Sequence, residues 1–554
     1  MYITKLISSQ EKVFLDSRPE DYPELASLTA LQGEVVSFQL IHTDLGEEYL
    51  PCRPYVSVSL DGELAPFTTL RDVRSVSVDH PCTPGKTDSN YLRTEIGLYP
   101  DLLTPLRYGG KLIPSRELLR AVWIEIRIPE DAEGDLSLSL TLSVPDTAVC
   151  VTQTLTVTVL PVALPPQKLL FTQWFYPDCL AAYYNVPAWS ERHWEIVEHY
   201  VALAVKRGRN VMYTPLLTPA LNVLEPFERT PCQLLGVTVE NGEYSFDFSL
   251  VDRWIDMCNA LGVKFYEISH FYDQDKAIHS AKVYGTVEGE YKQIFGWETL
   301  ADDEAYVRFL RNMLVAFISH MKARGDDRRC LYHISDEPYI DYLDRYMRIK
   351  ENIADLLEGY VIMDALSNLE YYQNGAVNTP VPTTKAAKAF IEAKVPNLWV
   401  YYACEQVQQY SNCYLAMPSW RTRSLGMQLY KYNIAGFLHW GYNYYNNRAS
   451  GDAVNPFMEL GGEDWVPAGD TFMVYPDSDG TPLESLRMLT MEEAMQDVRA
   501  MQLCETWFSH EEIVCVMEEA LGDEITFERC AYSADEMLRV REAVNTLIKK
   551  GLKQ

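Results

Sequence analysis

The chain has 554 residues, more than one hydrophobic core usually holds, so two or more domains are expected. Hydrophobic residues make up 47% and charged residues 23%, a balance that excludes a disordered or fibrous chain. Against 48 Lys and Arg stand 78 Asp and Glu; the net charge of −30 repels phosphate backbones and anionic membranes, so neither nucleic acid nor a membrane is an expected partner.

The opening MYITKLISSQEKVFLDS has no continuous apolar run after a basic start and no small-residue cleavage site, so a cytoplasmic location is expected. No stretch of about 18 apolar residues is present to span a bilayer. The 12 cysteines, scattered from Cys52 to Cys530 without a CxxC pair, predict free thiols and no zinc site or disulfide framework.

Residues 1–165 carry short alternating runs such as VVSFQLIH, YVSVSL, VWIEIRI, LSLSLTLSV and VTQTLTVTVL, broken by Gly, Pro and Asp. Period-two alternation with one polar face predicts an N-terminal antiparallel β-sandwich. The proline-rich LPVALPPQ, from Pro161 to Pro166, reads as the boundary.

Beyond it, apolar strands alternate with amphipathic helical segments. LLFTQWFY is the first strand, and the next seven begin near 210, 263, 329, 360, 374, 397 and 434. Ser190 and Gly208 bracket the first helix as cap and stop, and Asn241-Gly242 supplies the turn of an inserted hairpin. Eight strand–helix repeats predict an α/β fold, a (β/α)8 TIM barrel over residues 166–507, with residues 508–554 as a C-terminal helical extension.

In such a barrel, chemistry lies at the C-terminal ends of the strands. Polar residues there are His270, Asp336, Glu337, Asp364, Asn368, Asn378 and His439; aromatic ones are Trp174, Tyr176, Tyr401, Tyr402, Trp440, Tyr442 and Tyr444. Aromatic walls over carboxylates suit a sugar, whose C–H faces lie on rings while its hydroxyls need polar partners. A packing role is the competing reading for the aromatics, and Arg421 and Arg423 read as solvated helix-face charges.

The sharpest element is HISDEP, residues 333–338. At a strand end both carboxylates can turn toward the mouth, and Pro338 biases Glu337 toward extended backbone. Two close carboxylates are costly to ionise together, so one can stay protonated as a general acid. The competing reading makes Asp336 a helix cap. Adjacent carboxylates do not suit an acid and an enzymic nucleophile on opposite sides of one bond. They suit an acid beside a residue that orients a nucleophile carried by the substrate. No HExxH, GxGxxG or Walker pattern is present, so no metal and no cofactor is expected.

In GEVVSFQL, GLYPDLLTPL, VWIEIRIPEDAEGDLS, HISDEP, RSLGMQLYKYNIAGFLHWGYNYY and GDTFMVYPDSDGTPLESLRML, the sequence resembles glycoside hydrolase family 123, the β-N-acetylgalactosaminidases, and the wider DUF4091 domain family. The resemblance implies a β-sandwich, a catalytic barrel and retaining, substrate-assisted release of a terminal β-linked N-acetylhexosamine, N-acetylgalactosamine first. It implies Glu337 as general acid/base and Asp336 as the residue that polarises the 2-acetamido group. Trp440, Tyr401, Tyr402, Trp174, His270, Asp364 and Tyr442 are the candidate substrate-binding residues, and a saccharide or glycoconjugate fragment is the expected partner. Two alternatives stand beside it: a barrel glycosidase for non-acetamido sugars with a distant nucleophile such as Asp364, and a non-catalytic carbohydrate-binding protein.

Overall fold

The computed structural model describes residues 2–44, 55–113, 117–144, 150–463 and 465–553. Its first part is two five-stranded sheets face to face. One orders Tyr2–Ser8, Val35–Asp44, Arg120–Arg127, Thr68–Val78 and Gly97–Pro105; the other orders Ser27–Gln32, Cys150–Ala163, Gly134–Ser143, Val56–Asp61 and Lys111–Leu112. Between them lie Phe38, Leu40, Val122, Ile124, Leu138, Leu140, Leu155 and Val157, one face of each alternating run.

Two features depart from the expected sandwich. Cys150–Ala163 pairs with Ser27–Gln32 in parallel. Alternation records which face is buried and says nothing about the direction of a partner more than a hundred residues away. The outer face of the first sheet is also covered: Ile7, Ile41, Val73, Leu103 and Trp123 pack with Leu486 and Leu489 of the helix Leu486–Cys504. That helix is buried almost all round because it is wedged between sheet and barrel. Arg207 crosses the same seam, with Glu125 at 2.8 Å, Glu484 at 2.6 Å and Glu492 at 2.6 Å.

Eight parallel strands form the second part: Leu170–Gln173, Val211–Thr214, Phe265–Ile268, Cys330–Tyr332, Val361–Ala365, Thr379–Val381, Trp399–Tyr402 and Gly436–His439, called barrel strands one to eight below. The ladder runs from strand six through strands five, four, three, two and one to eight and seven, all parallel, and a parallel bridge from Thr383 to Tyr401 nearly closes the ring. Strand six starts at Thr379, five residues after the expected 374, because Gly375–Asn378 is spent turning out of the helix Leu369–Gln373. Ser190 caps the first long helix by accepting from the His193 amide, and Gly208 follows its end in left-handed backbone. Asn241 and Gly242, both at positive φ, turn the expected hairpin Gly236–Glu240/Glu243–Asp247. It extends into a four-stranded sheet with Val283–Val287 and Glu290–Phe295.

The helices His510–Leu521 and Ala534–Gly551 pack on the helices Ser419–Lys431 and Leu486–Cys504 and reach Leu31, Leu160 and Leu164 of the N-terminal sheets. All 11 described cysteines are free thiols; Cys52 lies outside the described residues. No helix among the described residues is long and apolar enough to cross a membrane.

Candidate active site

Barrel strand four is only three residues long. Its ladder is cut short because the Asp364 carboxylate of strand five accepts the amides of Ile334 at 3.1 Å and Ser335 at 3.2 Å in place of a backbone carbonyl. The chain then turns across the barrel mouth, tied by Ser335 Oγ to the Asp273 carbonyl (2.7 Å), the Asp275 amide to the Asp336 carbonyl (2.8 Å) and the Glu337 amide to the Ala365 carbonyl (2.9 Å). Glu337 sits at φ +45°, not in the extended backbone that Pro338 alone would favour. Pro338 excludes the right-handed helical well. The ties on either side, with the Tyr339 amide on the Asp275 carbonyl at 3.0 Å, hold the left-handed one at a cost of about 1–2 kcal/mol. The reward is orientation: both carboxylates line one cavity.

That cavity is walled by Trp174, Trp440, Trp465 and Tyr401 and carries Asn222, Gln274 and Asp470 among its polar groups. Asp336 is buried, and its Oδ1 has no partner within the protein. Glu337 accepts the Tyr401 hydroxyl. Burial first, then the charge of Glu337, pushes the Asp336 carboxyl well above the usual range. Burial raises Glu337 as well, opposed by the Tyr401 hydroxyl and reinforced by Asp275 and Glu405. Both shifts favour a proton held within the pair.

Beneath it lies a second layer of buried charge. His333 places Nε2 at 2.8 Å from Glu267 and Nδ1 at 2.9 Å from Asp364. Burial opposes protonation, yet the two carboxylates outweigh it and lift His333 to about 9. His270 stacks on it at 4.2 Å, accompanied by Tyr213 at 3.1 Å, and burial followed by the neighbouring His333 keeps it neutral. Glu267 also accepts Trp174 Nε1 and Thr172 Oγ1, each at 2.7 Å.

Among the described residues, two groups of buried side chains, His270–His333–Asp364 and Cys413–His439–Asp470, lie close enough to hold a cation. In the first, each His333 nitrogen already faces a carboxylate, Glu267 or Asp364. In the second, Nδ1 of His439 meets Gln173 Nε2 at 3.1 Å and the Gly441 amide at 3.3 Å, and its Nε2 faces Asp470 at 3.4 Å. Burial opposes protonation of His439, yet its neighbours outweigh it and lift it to about 9.

The profile of the glycoside hydrolase 123 catalytic domain matches residues 174–504. The chain belongs to glycoside hydrolase family 123. A family 123 glycoside hydrolase from Clostridium perfringens, described for glycolipid glycan hydrolysis, is similar over 100% of this chain and 99% of its own, with a TM-score of 0.74 at 14% identity. A β-glucuronidase from Parabacteroides merdae (10% identity, 91% of this chain, 51% of its own, TM-score 0.32) and a putative β-galactosidase from Bacteroides fragilis (9%, 88%, 60%, 0.31) are far more distant. No curated protein matches the sequence. Family membership makes the chain an enzyme, a glycoside hydrolase, and removes the non-catalytic binder.

Within this family 123 chain, the cavity brings together Asp336, Glu337, Trp174, Trp440 and Tyr401 of the sequence-derived candidates. It does not gather the others. Tyr402, one residue from Tyr401 and so on the opposite side of its strand, packs against Phe437 and His439. Tyr442 is buried and donates to the Tyr200 carbonyl at 2.8 Å. His270 is stacked under the cavity, and Asp364 is wholly enclosed. The polarity of HWGYNYY comes from tyrosines pinning backbone carbonyls, Tyr445 to Val474 at 2.7 Å among them. Its glycine is a close approach, since a Cβ on Gly441 would meet the Asp470 carbonyl at 2.1 Å.

Arg421 and Arg423 are not solvated. Arg421 is buried against Asp88 at 2.9 Å and the Tyr91 ring, and Arg423 against Asp497 of the helix Leu486–Cys504 at 2.7 Å. Asp336 caps no helix, since the next one begins at Leu343 behind the turn Ile340–Tyr342. Asn222, Gln274, Trp465 and Asp470 are cavity residues that the sequence reading missed. They lie in long loops without a strand-end signature, and of the four only Asp470 falls within a family-like segment, GDTFMVYPDSDGTPLESLRML.

Proposed function

We propose that the enzyme releases a terminal β-linked N-acetylhexosamine, N-acetylgalactosamine first, with retention and through the substrate's own 2-acetamido group. The domain partition offered with it is a sandwich over 1–165, a (β/α)8 barrel over 166–507 and a helical extension over 508–554. Glu337 protonates the glycosidic oxygen, and Asp336 accepts the acetamido N–H and aims the carbonyl oxygen at the anomeric carbon. Water then opens the cyclic intermediate with Glu337 as base. Trp174, Trp440 and Trp465 offer faces to the ring, and Asn222, Gln274 and Asp470 offer partners to its hydroxyls.

The observation that carries this reading is the placement of two adjacent carboxylates on one cavity, one of them with an unpartnered oxygen. An incoming acetamido N–H fits that oxygen. Before substrate binds, burial favours the proton on Asp336, while the Tyr401 hydroxyl favours the Glu337 anion. An N–H bonded to Asp336 reverses that preference, so substrate binding itself delivers the proton to Glu337. The rival nucleophile, Asp364, has its oxygens taken by His333, two amides and the Tyr346 hydroxyl. The action of the Clostridium perfringens relative on glycolipid glycans supports a glycoconjugate substrate. The test is turnover of aryl 2-acetamido-2-deoxy-β-galactosides and β-glucosides beside their 2-hydroxy counterparts: the reading requires the acetamido group, and equal turnover overturns it.

A further inference from the structure

Asp336 and Glu337 stand on a turn that almost no ladder bonds support, and they face an indole on a different strand. Something must hold strand four's exit and the Trp174 wall in one register. One set of side chains touches both. Asp364 takes the amides of Ile334 and Ser335, the two residues that lead into Asp336. Glu267 takes the indole N–H of Trp174 on the same oxygen that meets His333. His333 bridges the two carboxylates, and its ring stands T-shaped to the Trp174 indole with the centroids 6.2 Å apart.

We propose that Glu267, His333 and Asp364 act as one positioning unit, an imidazolium clamped between two buried carboxylates that fixes the Asp336–Glu337 turn against the Trp174 wall. None of the three lines the cavity, so each acts through another residue. The proposal rests on the reading of Asp336 and Glu337 as the reacting pair.

The charge is what makes the clamp work. Two carboxylates fully removed from water repel each other unless a cation lies between them, and an imidazole with both nitrogens protonated meets one on each side. A neutral ring would donate to one and turn a lone pair on the other. Charged or titratable neighbours of His333 are Glu267 from strand three, Asp364 from strand five and the stacked His270. His270 cannot share the charge, because its Nδ1 is taken up with Tyr213 and burial holds it neutral. The raised affinity of His333 for its proton fits the same arrangement.

Two measurements test this. The first uses the wild-type enzyme at pH 7 with 15N-labelled histidine, the His333 signals being assigned by their loss in His333→Gln. The proposal requires two ring N–H protons on His333; one N–H with an unprotonated nitrogen overturns it, whatever the substrate proves to be. The second is a kinetic cycle of His333→Gln, Asp364→Asn and the double variant on whichever aryl glycoside the wild type cleaves. The expected result is a fall in kcat of about a hundredfold for each, as for a misplacement of about an ångström, with KM within about threefold. The double variant should lose no more than either single one. Full kcat in Asp364→Asn, which keeps the shape of the side chain, overturns the proposal, as does multiplication of the two losses. Failure of the catalytic-pair reading is seen separately, as undiminished turnover by Glu337→Gln.

Discussion

Tyr401→Phe removes one hydroxyl and nothing else from the cavity, which makes its consequence calculable. That hydroxyl donates to Glu337 and holds the carboxyl below where burial alone would place it. A hydrogen bond to a charged group contributes about 1.5–3 kcal/mol, and to the neutral acid about 0.5–1.5 kcal/mol, so the anion loses about 1–1.5 kcal/mol more than the acid. At about 1.4 kcal/mol per pH unit this raises by about one unit the apparent pKa of the pair in the substrate complex, where Glu337 carries the proton. The acid form of Glu337 then persists to higher pH. In a pH profile of kcat, which reports the substrate complex, on a substrate with a poor leaving group, the alkaline limb should move up by about one unit in Tyr401→Phe. A limb that stays in place or moves down refutes the assignment of Glu337 as the proton donor held by Tyr401.

Asp336→Asn should slow the first step for good and poor leaving groups alike and weaken binding of a thiazoline mimic of the cyclic intermediate, measured by inhibition constants; equal inhibition of both forms counts against the role of Asp336. Glu337→Gly should abolish activity yet raise stability by about 1 kcal/mol in denaturant unfolding, because the left-handed backbone no longer strains an L side chain. Arg207→Ala takes the cation from Glu492 and leaves Glu125 and Glu484 with Arg71 alone at the seam between sheet and barrel, and should cost about 3 kcal/mol, read as a lowered unfolding midpoint. All 12 cysteines should titrate as free thiols in denaturant without reductant, and several protected ones would contradict the reduced state.

The barrel strands were legible because burial on both faces gives unbroken apolar runs, and the carboxylate pair because it ends one of them. Strand six, GAVNTP, has too few apolar residues to fix its start, and its turn absorbed the expected first half. What the sequence concealed is pairing at a distance. His333 lies inside the most informative hexapeptide, yet its role depends on Glu267 and Asp364, 66 and 31 residues away. Nothing in VKFYEISH distinguishes a glutamate that anchors an indole from one that faces solvent. Asp364 illustrates the converse. Its strand-end position marked it as a candidate nucleophile, and only its four donors reveal a carboxylate with no oxygen left to attack. Arg421 and Arg423 were misread for a related reason, since the carboxylates that hold them, Asp88 and Asp497, lie far away in the chain.

If the substrate supplies the nucleophile, everything depends on the group at C2, and one assay pairs substrates that differ only there. Purified enzyme should cleave an aryl 2-acetamido-2-deoxy-β-galactoside and leave the matching β-galactoside essentially untouched, with a thiazoline inhibiting the former reaction. Comparable rates on both, without thiazoline inhibition, would rule out a nucleophile carried by the substrate and require a separate enzymic one.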